Sequence, residues 1–286
     1  LWLRLSSKRL EVRAGLQKIN FGSATMLRPL MWFDQIDPRD PLQLTNGVYG
    51  VLGRYYFKNN TNIWLWTLYG NKNPKGWDFI ASQKDVPEYG GRFQFPVPKG
   101  EGAISLHSRT ANMNSFFPDS MLNGKVSYPE SRIGLDGKWD LVVGLWFEYM
   151  FLHSNITEMP RPKNYQHVLN LGLDYTFGIG NGLSVITEFF WFASSDEIFN
   201  SLAGIEFSAL TLSYPITLMD NISAIIYFNW ESNSWYRFVN IQRSYDNWSF
   251  YLMAFWNPDK FDLYTINFEN NLFAGKGLQL MCVYNF

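Results

Sequence analysis

The sequence predicts an all-β fold: a transmembrane, antiparallel, up-and-down β-barrel of about sixteen strands, within a range of roughly 14–18. Three observations carry this expectation. Apolar and polar residues alternate with a period of two through segment after segment, which is the side-chain repeat of a strand. Aromatic residues make up 18% of the 286 residues, as 24 Phe, 16 Tyr and 12 Trp. That is roughly twice a soluble protein's share and matches the aromatic girdles of membrane barrels. The chain also ends on an alternating stretch, 278–286, in which Leu278, Leu280, Cys282, Tyr284 and Phe286 share one face.

In chain order, 9–17 sets Leu10, Val12, Ala14 and Leu16 against Arg9, Glu11, Arg13 and Gln17. Segment 92–98 sets Phe93, Phe95 and Val97 against Arg92 and Gln94, and 103–109 sets Ile104 and Leu106 against Ser105, His107 and Arg109. In 139–151, Leu141, Val143, Leu145, Phe147, Tyr149 and Phe151 oppose Asp140, Gly144 and Glu148. The most regular stretch is 169–177, with Leu169, Leu171, Leu173, Tyr175 and Phe177 against Asn170, Gly172, Asp174 and Thr176. Segments 183–191 and 203–211 carry Glu188 and Glu206 at inward positions; 222–230 and 248–256 also alternate, and 236–243 and 261–268 are ambiguous. Tight turns at Lys58-Asn59-Asn60, Lys99-Gly100, Gly137-Lys138 and Gly178-Ile179-Gly180-Asn181 alternate with longer polar connections near 19–45, 72–90, 111–128, 154–166 and 195–201. Short turns at one end and long loops at the other is the asymmetry of a membrane barrel, the long loops being extracellular. A count of about sixteen ends the last strand on the long-loop side, where such barrels do not end. One strand is therefore miscounted, in the ambiguous stretch after Pro215 or as a strand preceding Leu1.

Composition narrows the classes. A mean hydropathy of −0.17 and the lack of any apolar run of about 20 residues exclude a helical membrane bundle. The net charge of −1 gives no footprint for nucleic acid. One cysteine, Cys282, forbids an internal disulfide, and its parity places it on the apolar face as an inert small residue. A single domain over 1–286 is expected, with the signal peptide that an exported barrel needs lying upstream of Leu1. A soluble sandwich would alternate too, with its faces reversed. Its strands average about 5–6 residues, whereas these run nearer nine, the length a tilted membrane strand needs.

The inward charges are the functional signal. They comprise Arg9, Arg13, Arg54, Arg92, His107 and Arg109 in the first half, and Asp140, Glu148, Asp174, Glu188 and Glu206 later. A basic wall facing an acidic wall would orient dipolar solutes and reject apolar ones. Alternatively these charges pair and fill a closed lumen. Segment 33–41 holds Asp34, Asp37, Arg39 and Asp40 between stiffening prolines. It reads as a plain extracellular loop or a constriction loop folded inward. A calcium site fits less well, because no sharp-turn Gly and no bidentate Glu follow. No metal or cofactor is expected. His153-Ser154-Asn155 resembles the His/Ser/Asn motif of outer-membrane phospholipases, but adjacent strand residues point to opposite faces, so base and nucleophile cannot meet. With no phosphate loop, zinc spacing or Gly-x-Ser-x-Gly elbow, catalysis is not expected.

The stretch Gly15-Leu16-Gln17-Lys18-Ile19-Asn20-Phe21-Gly22 resembles the G-R-Q-x-x-x-(aromatic)-G strand end of porin-like families, including alginate-export-like barrels, with Leu16 where those usually carry Arg. The run 33–57, with Asp37-Pro38-Arg39-Asp40-Pro41 and Leu52-Gly53-Arg54-Tyr55-Tyr56-Phe57, is similar to porin-like proteins of Bacteroidota. The closing strand through Tyr284 and Phe286 looks like those of bacterial outer-membrane barrels, whose ends the barrel assembly machinery reads. These resemblances imply the outer membrane of a Gram-negative bacterium and a porin-like channel or exporter for small hydrophilic solutes. The implied partners are the bilayer with its lipopolysaccharide, the assembly machinery and other outer-membrane proteins. A second reading, from a different class, is a non-conducting structural barrel within a larger outer-membrane complex.

Overall fold

The computed structural model describes residues 2–116, 126–157, 163–198, 204–258 and 273–285. The ambiguous stretch 261–268 and the terminal Phe286 lie outside these residues. Fifteen strands run β1 (Trp2–Ser6), β2 (Leu10–Gln17), β3 (Val48–Tyr56), β4 (Asn62–Leu68), β5 (Glu88–Val97), β6 (Gly100–Asn112), β7 (Ser127–Asp140), β8 (Gly144–Ser154), β9 (Tyr165–Phe177), β10 (Leu183–Ser195), β11 (Gly204–Pro215), β12 (Asp220–Asn229), β13 (Ser234–Ser244), β14 (Trp248–Trp256) and β15 (Lys276–Tyr284). They form one antiparallel sheet in sequence order, β1 through β15. The only helix among the described residues is a single 3-10 turn, Met113–Ser115. No ladder between described residues joins β1 to β15.

Every connection after an odd-numbered strand is short. At two of them Asn60 and Lys99 adopt the left-handed conformation, with φ of 64° and 59°, which Asn tolerates better than most residues. All but one of the connections after even-numbered strands are long. In an up-and-down sheet successive connections alternate between strand ends, so β15 finishes at the short-turn end. This removes the conflict in the strand count. β14 pairs directly with β15, from Trp248 opposite Tyr284 to Trp256 opposite Lys276.

Two boundaries need correction. The expected turn at Gly137-Lys138 lies inside β7, and the true reversal is Leu141-Val142-Val143. Consequently Leu141 and Val143 do not share a strand face with Leu145, Phe147 and Tyr149. Strand β7 starts at Ser127, just inside the expected connection 111–128. Its period-two signal is carried by charges, Glu130, Arg132 and Asp136, rather than by an apolar stripe.

The decisive feature is which face is covered. Along β6, Ser105, His107 and Arg109 are 0%, 3% and 4% exposed, whereas Ile104 and Leu106 are 44% and 54% exposed. Across the β6–β7 ladder Ile104 faces Leu135 and Leu106 faces Ile133, on the open side. The covered side pairs Arg109 with Glu130 and His107 with Arg132. In water this arrangement is upside down, because it leaves apolar stripes wet and removes charges from solvent. On β15, Leu278 and Leu280 stand 78% and 82% exposed.

The chain divides into two compact units. The first comprises Leu1–Asp140, Trp146–Asn170 and Trp191–Gly204, and the second Leu141–Leu145, Leu171–Phe190 and Ile205–Phe286. The second unit covers an aromatic rather than a charged face: Phe207, Tyr227, Tyr236, Phe238, Tyr251 and Phe255 are buried. Tyr227 lies opposite Tyr236 and Ile225 opposite Phe238 in the β12–β13 ladder.

Candidate functional site

In the first unit the covered face is a network of ion pairs built across β5, β6 and β7. Arg92 on β5 holds Asp136 on β7 through two parallel bonds, Nη1 to Oδ1 at 2.6 Å and Nη2 to Oδ2 at 2.8 Å. Arg109 on β6 holds Glu130 on β7 through Nε at 2.7 Å and Nη2 at 3.1 Å. Asp78, from the 69–87 connection, joins Arg109 at 2.8 Å and Arg132 at 2.6 Å. Bidentate guanidinium–carboxylate pairs of this kind are the strong form of the interaction. Removing one partner of a buried pair costs about 3–5 kcal/mol, because the other is left charged and unpaired.

His107 sits at the centre of a second chain of bonds. Its Nδ1 accepts from the Trp66 indole N–H at 3.2 Å. An indole can only donate, so Nε2 carries the proton and donates to Glu88 at 3.1 Å. The other Glu88 oxygen takes Lys75, whose Nζ also donates to Ser82 Oγ at 2.9 Å. Burial pulls the Lys75 pKa down against the pull of Glu88. A serine beside a lysine has the outline of a nucleophile and its base. Here Glu88 and Ser82 both accept from an ammonium, and Arg109 Nη1 also reaches Ser82 Oγ at 3.4 Å, so the arrangement is an ion pair with a hydroxyl acceptor.

Segment 18–47, between β2 and β3, packs on this face. It is not the polar loop its prolines and aspartates suggest: Ile19, Phe21, Met26, Leu27, Leu30, Met31, Trp32, Phe33 and Ile36 are all buried. Phe21 stacks on Trp66 with centroids 5.7 Å apart, and Phe33 meets His107 edge-on at 5.0 Å. The backbone is fastened as well. Glu148 on β8 accepts the N–H groups of Ala24 at 2.7 Å and Leu30 at 3.2 Å. Asn170 donates to Leu27 O at 2.7 Å, Trp77 to Arg28 O at 2.7 Å, and Trp32 to Met150 Sδ at 3.1 Å. Gly22, at φ +93°, passes so close to Glu148 that a Cβ there would lie 2.2 Å from Oε1.

The charged motif within this segment is divided among local partners. Asp34 faces Arg28 at 3.5 Å. Asp37 accepts Arg39 Nε at 3.0 Å and Nη2 at 2.7 Å. Asp40 accepts the N–H groups of Leu42 and Leu44 at 3.0 and 3.1 Å. The three carboxylates do not converge on a common point. Burial raises the Asp34 pKa, against the opposing pull of Arg28 and Lys18. The folded state therefore binds this proton more tightly than the unfolded chain. Its stability contribution is fully present below the ordinary value of 3.8 and falls as pH rises through the raised one. Thermal unfolding followed across the acid range should show the native protein losing stability relative to Asp34→Asn as pH rises.

The other expected lumen residues fall in different places. Arg13 lies at 2.8 Å from Glu11, and Arg54 lies 3.8 Å from the same carboxylate, its guanidinium 3.7 Å over the Trp64 ring. Arg9 is exposed in the turn before β2, and Asp140 is exposed at the end of β7. In the second unit Asp174 is half-buried, against Gly144, and Glu188 is buried. Glu206 is exposed, out of phase with the buried Phe207 and Ala209 on β11. Tyr284 packs against Trp248 at 4.8 Å, and Cys282 is exposed. The basic residues of the first unit thus face acids of the same unit, Glu11, Glu88, Glu130 and Asp136, with Glu11 shared among Arg4, Arg13 and Arg54. Glu11 was legible as an inward residue from its parity, but its role as a shared partner was not.

His167, on β9, is a further site the sequence did not single out. Its ring nitrogens lie 2.7 Å from Tyr149 Oη and 3.0 Å from Ile198 O, and Phe151 and Trp191 flank it. Comparison with protein-family models, curated proteins and solved structures finds no match to this chain.

Proposed function

We propose that this chain is an outer-membrane β-barrel of a Gram-negative bacterium, through which small hydrophilic solutes pass under the control of segment 18–47. The observation that carries the reading is the inversion of burial. Ile104, Leu106, Ile133 and Leu135 stand on the open face while Arg92, His107, Arg109, Glu130 and Asp136 are covered. Lipid is the solvent that makes an outward apolar stripe favourable. Strands of 9 to 14 residues, as in β5 through β15, also suit a tilted crossing of the hydrocarbon layer. Free edges are costly in lipid, so the proposal includes closure of the sheet. Its partners would be the bilayer and lipopolysaccharide, the assembly machinery acting on the Tyr284 and Phe286 end, and neighbouring outer-membrane proteins.

A second reading, a non-conducting structural barrel, is favoured by a specific observation: segment 18–47 and the ion pairs fill the covered face of the first unit. Single-channel recording in planar bilayers separates the two. Discrete conductance steps, with a reversal potential that shifts on Asp174→Arg, support passage and place that residue on the route. A folded but silent protein supports the structural role.

A further inference from the structure

The covered face of the first unit carries a cluster of cations that its own acids do not satisfy. Arg4 on β1 lies directly opposite Arg13 on β2, an unfavourable like-charge pairing. Both are drawn to Glu11, at 2.6 and 2.8 Å, and Arg54 on β3 reaches the same carboxylate only at 3.8 Å. One carboxylate therefore serves three guanidinium groups. The row continues on the same face: Arg54 lies opposite Trp64, and Trp64 opposite Arg92. Arg92 gives both terminal nitrogens to Asp136. Its Nε–H, the Nε–H of Arg54 and the indole N–H of Trp64 are buried without a hydrogen-bond partner among the described residues. Buried donors of this kind are rare, because each unmade bond costs free energy. Here three stand side by side on neighbouring strands.

Exposure along the row is graded. The side chains of Arg4, Arg13, Arg54 and Arg92 are 51%, 26%, 13% and 4% exposed, so burial of the cations deepens along the row toward the unpartnered donors.

We propose that Arg54, Trp64 and Arg92 form a binding site for a small oxyanion of the carboxylate or phosphate class, reached along Arg4 and Arg13. Such a ligand supplies the acceptors that the three N–H groups lack and offsets the excess positive charge around Glu11. The Arg54 guanidinium covers one side of the Trp64 ring, and Phe21 packs against both Trp64 and Arg92. This assignment rests on the reading that solutes reach the covered face, and it names the class of solute held there.

The test is titration of purified protein in detergent with sodium phosphate, and separately with sodium acetate, at fixed ionic strength, read by calorimetry. Saturable binding is expected in the native protein, weakened about tenfold or more in Arg54→Gln, which removes a charge-assisted bond. Trp64→Phe keeps the ring and removes the N–H, and it should weaken binding while leaving the circular dichroism spectrum unchanged. Arg243→Gln, on β13, serves as a control that should bind as the native protein does. Absence of saturable binding to either anion, or equal binding by Arg54→Gln and the native chain, overturns the assignment. The outcome is independent of conductance. Binding without channel activity would retain the site and remove the passage reading, and channel activity without binding would do the reverse.

Discussion

Leu106→Arg is expected to destabilise the protein by about 2–4 kcal/mol in a bilayer if the residue sits near the midplane, and by less toward either interface. The size of that effect is informative because Leu106 is exposed. In a water-soluble sheet an exposed leucine-to-arginine change stays within roughly 0.5 kcal/mol, since the new charge is solvated and little packing is lost. The large cost arises only if the open face of β6 meets hydrocarbon. Reversible unfolding from lipid vesicles, compared with the native chain, gives the number. Ile133→Arg, facing Leu106 across the β6–β7 ladder, should behave alike. Near-native stability for both would mean that the open face is wet.

The second large effect is expected at the fastening of segment 18–47. Glu148→Ala leaves the buried N–H groups of Ala24 and Leu30 without their acceptor. Each unsatisfied donor costs about 1–3 kcal/mol, so a loss of about 2–6 kcal/mol is expected, borne mainly by the segment rather than by the strand ladders. Gly22→Ala attacks the same contact from the other side: its Cβ would enter the Glu148 carboxylate, at a residue already in the left-handed region. Gly70→Ala is the comparison. Its φ is also positive, at +80°, but no atom lies within 4 Å of the added Cβ, so only the conformational cost of about 1 kcal/mol applies. Limited proteolysis at Lys18 and Arg28 reports the segment directly. Rapid cleavage in Glu148→Ala and Gly22→Ala, with slow cleavage in Gly70→Ala, is the expected pattern. Under the passage reading the first two variants should also conduct more than the native chain.

Strand identity and face were legible in the sequence wherever a stripe was apolar. Ile104 and Leu106 against Ser105, His107 and Arg109 marked the strand and which residues share a face, because apolar and polar residues alternate there without interruption. The far end of β7 was hidden because Gly137-Lys138 has the residues of a turn although both lie inside the strand. The reversal at Leu141-Val142-Val143 was hidden because it contains no residue that favours a turn. Segment 18–47 carries a signal of its own: nine large apolar residues between Ile19 and Ile36 would be costly in water, which predicts that this part of the loop is covered. The ion pairs were not legible at all. Arg92 and Asp136 are 44 residues apart, and their meeting depends on the register of two intervening hairpins. Parity could say that both face inward and could not say that they touch.

The central claim is that the open apolar face of the first unit lies against lipid. In a Cys282→Ser background, nitroxide labels placed one at a time at Ile104, Leu106, Ile133 and Leu135 would be examined in vesicles by electron paramagnetic resonance, with oxygen and a water-soluble nickel chelate as relaxing agents. The account predicts strong relaxation by oxygen and weak relaxation by the chelate at all four positions, with the ratio changing smoothly along each strand. Strong relaxation by the chelate at Leu106 and Ile133 would place that face in water and contradict it.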